Sequence, residues 1–356
     1  MKNVLEWLEA TVAKYPDKPA FSDTESSITF RQVYDIARNT GAYLVEQLGV
    51  DRTPVAVFAG RKMVTPAYFL GVVYAGRPYA PIDASLPDKR IEKILENLCP
   101  RAIVADRESR EHVESIVDEL AKAEGFDRPQ IFIAEDISHF EQVACADSNC
   151  KISESSGDAV TDSENDTDGG VVAGCAGKTD DSALEKLATV RRQMSMTDPL
   201  YIIYTSGSTG NPKGVMTSHL SLMTYINAYC DVMHIEESDV LGNQSPLDYI
   251  AAIRDIYLPL KTGCSTAIIP KEYFMEPNAL FDYMNDKKVS SVGWSVSAFT
   301  ILTSLGAFEE VGLKSLRKIC FSGSVMPCRV LRKWQENLPE AHFVNQYGPT
   351  EATASC

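Results

Sequence analysis

Short apolar runs alternate with stretches of helical periodicity along most of the chain. Apolar runs bounded by turn residues predict buried strands, and they lie at 55–58, 102–105, 131–133, 201–204, 267–269, 290–293, 318–321 and 342–344. Apolar residues at helical spacing predict helices over 3–14, 31–47, 64–75, 88–97, 110–123, 218–230, 248–258, 277–287, 297–305 and 327–337. Strands and helices that alternate in this way predict an α/β fold, in which mostly parallel sheets are covered by helices on both faces.

Two α/β blocks, 50–135 and 196–346, flank a stretch of different composition, and each block could build its own sheet. We therefore predict a first α/β subdomain over 1–135 and a second over 196–356. An insertion with a connecting helix is predicted to join them over 136–195.

The predicted insertion is acidic. Between residues 135 and 182 it carries twelve Asp or Glu residues and two Lys, and it is rich in Ser, Gly and Asn. Such a segment buries too little apolar surface to offset its ordering entropy. We predict that residues 136–182 are disordered and dispensable for folding; the functional alternative is an acidic interaction arm.

Charge and cysteine usage narrow the class of protein. The net charge of −15 argues against sequence-independent binding to nucleic-acid phosphates. No apolar run approaches the ~18 residues that cross a bilayer, and glutamates interrupt the start of the chain. Nine cysteines without a Cys-x-x-Cys pair fit reduced thiols. We predict a cytoplasmic protein with no nucleic-acid or membrane partner.

A loop rich in glycine and hydroxyl groups follows the apolar run at 201–204. Its glycines permit positive φ and the convergence of backbone N–H groups on one anion, while Lys213 adds a compact positive charge. The loop lacks the spacing of a Walker loop or of a Gly-x-Gly-x-x-Gly fingerprint. Rather than a flexible surface turn, we predict a polyphosphate site built from Thr205, Ser206, Gly207, Ser208, Thr209, Gly210 and Lys213.

Two further segments follow predicted strands. Phe321-Ser-Gly-Ser324 ends one strand, and Asn345-Gln-Tyr-Gly-Pro-Thr-Glu351 follows another. Ligands of open α/β sheets bind beyond the carboxyl ends of the strands, so we predict that these segments and the glycine-rich loop meet at one sheet edge. His219, just past the loop, is predicted to begin a helix.

Together these motifs resemble the adenylate-forming, or AMP-binding, superfamily. The glycine-rich loop is similar to the phosphate loop of that family, residues 345–351 to its nucleotide motif, and residues 75–83 to an early motif of its amino-acid-activating members. The similarity is strongest to the amino-acid adenylation domains of nonribosomal peptide synthesis and to D-alanine–carrier protein ligases. It implies a large N-terminal domain with two stacked, mostly parallel sheets.

The resemblance implies ATP-dependent activation of a small carboxylic acid. The carboxylate would attack the α-phosphate of ATP, and the resulting acyl- or aminoacyl-adenylate would pass its acyl group to the phosphopantetheine thiol of a carrier protein. Lys213, Thr350 and Glu351 would be catalytic, with Glu351 as the ligand of Mg²⁺. Besides the phosphate loop, the nucleotide would contact Gly323, Ser324, Asn345, Tyr347, Gly348 and Thr350.

The resemblance also implies an acyl pocket in which this chain departs from the family. The positions carried over are Ile250, Ala251, Arg254, Trp294, Ser322, Ser324, Gln346, Ala354 and Ser355. Amino-acid-activating members have Asp where this chain has Ile250, and Asp248 is the alternative anchor unless it only caps a helix. Arg254 either binds an acidic group of the substrate or pairs with Asp255 or Asp248. These departures from the family pattern disfavour an α-amino acid as the substrate. A β-amino acid, a hydroxy or keto acid, and a dicarboxylate remain open as substrates.

The family continues, beyond the counterpart of residue 356, with a ribose-binding Asp, a hinge and a small lid domain that carries a catalytic Lys. The chain is therefore expected to be an N-terminal fragment. The alternatives to a carrier-protein ligase are an acyl-CoA ligase and a non-catalytic nucleotide-binding module.

Overall fold

The computed structural model describes residues 2–138, 181–206 and 210–354. Most of the predicted insertion, together with Gly207, Ser208, Thr209 and Ser355, lies outside the described residues.

The described chain folds into two sheets with helices on their faces. The strands are β1 (Pro19–Ser22), β2 (Ser27–Thr29), β3 (Val55–Phe58), β4 (Tyr79–Ile82), β5 (Ala102–Ala105), β6 (Gln130–Ile133), β7 (Pro199–Ser206), β8 (Pro212–Ser218), β9 (Val240–Asn243), β10 (Ser265–Ile268), β11 (Ser291–Ser295), β12 (Lys318–Ser322) and β13 (His342–Asn345). The helices are α1 (Leu5–Lys14), α2 (Phe30–Leu48), α3 (Thr65–Tyr74), α4 (Asp88–Leu98), α5 (Arg110–Leu120), α6 (Ala134–Ser138), α7 (Asp181–Gln193), α8 (His219–Met233), α9 (Ile253–Thr262), α10 (Pro277–Asp286), α11 (Val296–Ser304) and α12 (Cys328–Asn337). The predicted α/β class is confirmed.

Each sheet is parallel except at one edge. The six-stranded sheet has the order β6-β5-β3-β4-β7-β8, and only β7 and β8 pair antiparallel. The seven-stranded sheet has the order β13-β12-β11-β9-β10-β1-β2, and only β1 and β2 pair antiparallel. Parallel neighbours place their carboxyl ends at one edge, where ligands of such sheets bind.

The sheets do not follow the two sequence blocks. The strands β1 and β2, which precede the first block, complete the seven-stranded sheet, whereas β7 and β8 from the second block close the six-stranded sheet. The prediction that each block builds its own sheet is therefore wrong. Pairing between strands far apart in the chain is decided by packing, which local periodicity does not report.

Alternating side chains show the layers. Val57 of β3 and Cys320 of β12 both belong to the cluster that contains α1, α2, α3, α8 and α9. The next residue along each strand faces away from that cluster: Phe58 packs with α4 and α5, and Phe321 with α10, α11 and α12. Since successive strand residues point to opposite faces, the first group of helices lies between the two sheets and the other two groups cover their outer faces.

Local chemistry fixes several element ends. Helix α2 begins with a capping box, in which Thr29 and Gln32 satisfy each other's backbone N–H groups, and such a cap stabilises a helix by about 1 kcal/mol. Residues 248–258, predicted as one helix, form a short 3₁₀ turn over Ile250–Ala252 before α9 begins at Ile253.

In the described part of the chain, no helix is both long and apolar enough to cross a membrane.

Candidate active site

The described residues of the glycine-rich segment lie on a β-hairpin. Strand β7 continues to Ser206 and the chain returns as β8, so Thr205 lies opposite Lys213. The hydroxyl of Thr205 donates to the carbonyl oxygen of Lys213 at 3.5 Å. The prediction that the strand ends at residue 204 is therefore wrong by two residues: Thr205, Ser206 and Lys213 are strand residues, and Gly210, with φ +79°, begins the return.

Helix α4 holds this hairpin through two side-chain hydrogen bonds. The Tyr204 hydroxyl donates to Oδ1 of Asn97 at 2.8 Å, and Nζ of Lys93 donates to Oδ1 of Asn211 at 3.2 Å. Lys213 is exposed. The hairpin, held by α4, thus presents the Lys213 ammonium group to solvent.

The two other predicted nucleotide segments lie side by side. The backbone N–H of Gln346 donates to the carbonyl oxygen of Phe321 at 2.9 Å, which joins the end of β13 to the end of β12. Gly323 then turns with φ +98°, a value that favours glycine, and both it and Ser324 are exposed.

The residues after β13 differ in their exposure. The Tyr347 side chain is 83% exposed, which is unusual for a large aromatic group, and Asn345 and Glu351 are also exposed, whereas Thr350 is buried. Gly348 is partly buried between them. An aromatic face, an amide, a hydroxyl and a carboxylate therefore follow one strand within seven residues.

The three segments do not belong to one sheet edge, so that prediction is wrong. The hairpin belongs to the six-stranded sheet because β7 pairs with β4, whereas β12 and β13 belong to the seven-stranded sheet. A nucleotide site that used all three segments would draw on both sheets.

The predicted acyl-pocket residues separate into two groups. Trp294 is completely buried on the outer face of the seven-stranded sheet, where its Nε1 donates to the carbonyl oxygen of Gly242 at 2.8 Å and its ring packs against Phe299. Arg254 lies on the opposite face, against Gly293. The structure therefore does not bring Trp294 and Arg254 together, because neighbouring residues of β11 face opposite sides.

The remaining pocket positions lie on the inner side or at the carboxyl edge. Ile250 is 6% exposed in the core between the sheets, and Ala354 packs against that core. Ser322, Gln346 and Ala251 are partly buried.

Asp248, two residues before Ile250, lines a small cleft. Asp83, which follows β4, and Arg61, which lies beyond the end of β3, line it as well, together with Phe69, Pro81 and Leu247. Burial, and next the nearby Asp83 carboxylate, raise the pKa of Asp248. Burial opposes the charge of Asp83 too, but hydrogen bonds with Ser85 and the positive charge of Lys271 lower the pKa of that carboxylate. Two carboxylates, Asp83 and Asp248, thus line the cleft, while position 250 contributes to the core. Asp248 does not act as a helix cap.

A polar network that the motifs did not reveal joins the two sheets. Nη2 of Arg61 donates to Oδ1 of Asn243 at 2.8 Å and to its carbonyl oxygen at 2.7 Å. Nδ2 of Asn243 donates to Oδ2 of Asp255 at 2.9 Å, and Asp255 neighbours Arg254. An arginine shortly after the apolar run at 55–58 is the signal that could have identified Arg61, since polar residues beyond buried strands mark sites.

His219 begins α8, which confirms its predicted place. It is 1% exposed, and its Nδ1 accepts from the backbone N–H of Val4 at 3.4 Å. Burial lowers the pKa of His219 to about 4, so a neutral imidazole packs inside the protein.

The chain matches the AMP-binding enzyme family over residues 8–356, and it belongs to that family. It is 27% identical over 353 residues to a D-alanine–D-alanyl carrier protein ligase of Bacillus cereus (strain AH187), covering 99% of this chain and 60% of that protein. The chain therefore spans about 60% of the length of this curated relative. The resemblance noted in the sequence is confirmed.

Solved structures share the fold. The complex of VinN with L-aspartate superposes with a TM-score of 0.73 at 17% identity, covering 99% of this chain and 78% of that one. The nonribosomal peptide synthetase FmoA3, bound to alpha-methyl-L-serine-AMP, gives 0.74 at 21% identity, covering 99% and 34%. The predicted architecture of two stacked sheets is that of the family.

Proposed function

We propose that the chain carries the adenylate-forming site of an AMP-forming ligase that passes its acyl group to a carrier-protein thiol. The observation that carries the proposal is the family match over residues 8–356. It is supported by the exposed Ser206 and Lys213 on the β7–β8 hairpin, and by exposed nucleotide-type residues at the ends of β12 and β13.

In the proposed reaction a carboxylate oxygen of the substrate bonds to the α-phosphorus of ATP, while the bond to the bridging oxygen breaks and pyrophosphate leaves. Nucleophile and phosphate are both anionic, so the protein must supply positive charge and hold the reactants in line. Lys213 on the anchored hairpin suits the β- and γ-phosphates, and the Thr350 hydroxyl suits the α-phosphate. Tyr347 offers a face for adenine, and Asn345 a hydrogen bond to its edge.

Glu351 is the residue proposed to hold Mg²⁺. No group of three or more His, Cys, Asp or Glu side chains suited to a metal occurs among residues 2–138, 181–206 and 210–354. Mg²⁺ commonly takes one or two protein carboxylates and completes its shell with phosphates and water. When bound, the ion would neutralise phosphate charge.

The substrate is proposed to be a small carboxylic acid whose amino group, if present, meets Asp248. A buried ammonium needs a counter-charge, and Asp248 lies at the cleft whereas Ile250 does not. The carrier-protein acceptor is favoured over CoA because the matched relatives are carrier-protein ligases and because residues 75–83 are of the amino-acid-activating type.

ATP–pyrophosphate exchange tests the proposal directly. The protein at its full natural length is supplied with ATP, Mg²⁺ and a panel of amino, hydroxy, keto and dicarboxylic acids, and ATP binding is titrated in parallel. We expect exchange that depends on one class of acid. Binding of ATP without exchange for any acid would favour the non-catalytic module, and absence of both would overturn the proposal.

A further inference from the structure

Arg254 is a buried cation with unused hydrogen-bond donors. Its side chain is 3% exposed on α9, and neither Nε nor Nη2 has a hydrogen-bond partner among the described residues. The closest approach to a carboxylate, from Nε to Oδ1 of Asp255, is 3.6 Å, which is too long for a hydrogen bond. Native structures rarely leave buried donors unsatisfied.

The surrounding network does not supply the missing acceptor. Oδ2 of Asp255 already accepts from Asn243, which in turn accepts from Arg61. Arg61 is partly buried and also has two guanidinium nitrogens, Nε and Nη1, without partners among the described residues. Arg61 lies near further carboxylates, those of Glu272 and Asp83, whereas Asp255 is the carboxylate beside Arg254. Burial raises the pKa of Asp255 to about 6, which weakens its charge near that pH. Arg254 thus has a neighbouring counter-charge but, among the described residues, no acceptor for two of its guanidinium nitrogens.

Small residues lead from Arg254 to the carboxyl edge of the sheet. Gly293 on β11 lies opposite Cys320 on β12, and a β-carbon at Gly293 would come within 2.6 Å of Nη2 of Arg254. Ser295 and Ser322 form the next pair on the same face, one pleat nearer the edge, a rise of about 7 Å for two residues. Both serines are only partly buried. Arg254 therefore lies below a row of small side chains that leads to the turn at Gly323.

The geometry points to Arg254 as the binding residue for a second carboxylate on the substrate, so that the site selects short dicarboxylic acids, with or without an amino group. This inference rests on the proposed function. A carboxylate can accept two parallel N–H bonds from one guanidinium, and Nε and Nη2 of Arg254 are the two donors that lack a partner among the described residues. The competing view is that Arg254 is only a structural partner of Asp255 and fills the space beside Gly293.

Binding of acid and amide pairs to the unmodified chain distinguishes the two views. Isothermal titration compares L-aspartate with L-asparagine, L-glutamate with L-glutamine, and succinate with succinamate, each pair differing by one charged oxygen. We expect at least one acid to bind about 10- to 100-fold more tightly than its amide, since the amide leaves the buried cation without its counter-charge. Equal binding within all three pairs would overturn the inference.

Substitutions then assign the preference to Arg254. Arg254→Gln should abolish it, while Arg254→Lys should keep part of it. Arg52→Gln is the control, because Arg52 is a largely exposed arginine that pairs with Asp198, and it should leave the preference unchanged. A folded Arg254→Gln variant that keeps the parent's preference would contradict the inference. If that variant does not fold, the parent titrations and Arg254→Lys still decide.

Titration needs no turnover, so the two proposals can fail separately. A clear preference for the acid over its amide, without pyrophosphate exchange, would contradict the proposed ligase function but not the role of Arg254. Pyrophosphate exchange that only monocarboxylic acids support would contradict the inference of a dicarboxylate substrate but not the ligase function.

Discussion

Gly293 provides the space that the Arg254 guanidinium occupies. The two residues lie on β11 and α9, almost forty positions apart in the chain. A β-carbon at position 293 would lie 2.6 Å from Nη2 of Arg254 and closer still to Nε. The side chain proposed to select the substrate therefore depends on a glycine in a neighbouring strand.

Gly293→Ala should destabilise the fold by about 1–3 kcal/mol, because the added methyl group overpacks a buried site, and it should displace Arg254. Urea unfolding measures the change. Gly312→Ala is the matched control, since Gly312 is exposed and a β-carbon there would meet nothing within 4 Å; it should stay within about 0.5 kcal/mol of the parent. Equal stability of both variants would show that the 293 site has room to adjust.

The buried His219 should make stability depend on pH. Burial holds its folded pKa at about 4, below the ordinary value of 6.5, so between these values the unfolded chain binds the proton more readily. The neutral His219 contributes up to about 3 kcal/mol to the free energy of unfolding. This contribution is fully present above pH 6.5 and is lost as the pH falls toward 4. Urea titrations across this range should show a smaller slope for His219→Gln than for the parent. Parallel slopes would mean that His219 ionises normally in the folded state.

Lys213→Ala and Glu351→Gln should each lower the rate of adenylate formation by about 10²–10³, the usual effect of removing one positioned charge at a reacting phosphate. Both side chains are exposed, so melting temperatures should not change. Pyrophosphate exchange is the measurement, and Lys186→Ala and Glu336→Gln, also at exposed positions, are the controls. Rates within about threefold of the parent would place Lys213 and Glu351 away from the phosphates.

Asp248→Asn should weaken the binding of amino acids and leave the binding of amine-free acids unchanged, because it removes the proposed partner of an ammonium group. Asp231→Asn, at an exposed position on α8, should affect neither. Separate binding titrations with L-aspartate and with succinate measure the difference. Equal losses for both ligands would assign Asp248 to the architecture of the cleft rather than to the amine.

Ile250→Asp should lower stability by several kcal/mol, since it would place a carboxylate without a partner in the core between the sheets. Urea unfolding measures this. A stable Ile250→Asp variant with improved affinity for α-amino acids would show that position 250, rather than Asp248, faces the amino group of the substrate.

All eight apolar runs that predicted strands do lie in or overlap strands. Five strands gave no usable signal because they are short or contain residues that strands disfavour, such as Pro81 in β4 and Pro212 in β8. They are β1, β2, β4, β8 and β9. The missed β8 is the reason that Lys213 was predicted in a loop.

The sequence by itself determined the fold class, the family and the chemistry of the nucleotide segments, because these depend on local periodicity and on residue types within single short stretches. Tertiary structure decided which strands share a sheet, that Trp294 and Arg254 lie on opposite faces, and that Asp248 rather than Ile250 reaches the cleft. It also assembled Arg61, Asn243 and Asp255 into one network. Those outcomes depend on pairing and packing between residues distant in the chain, and a side chain's face changes with a shift of a single residue in a strand.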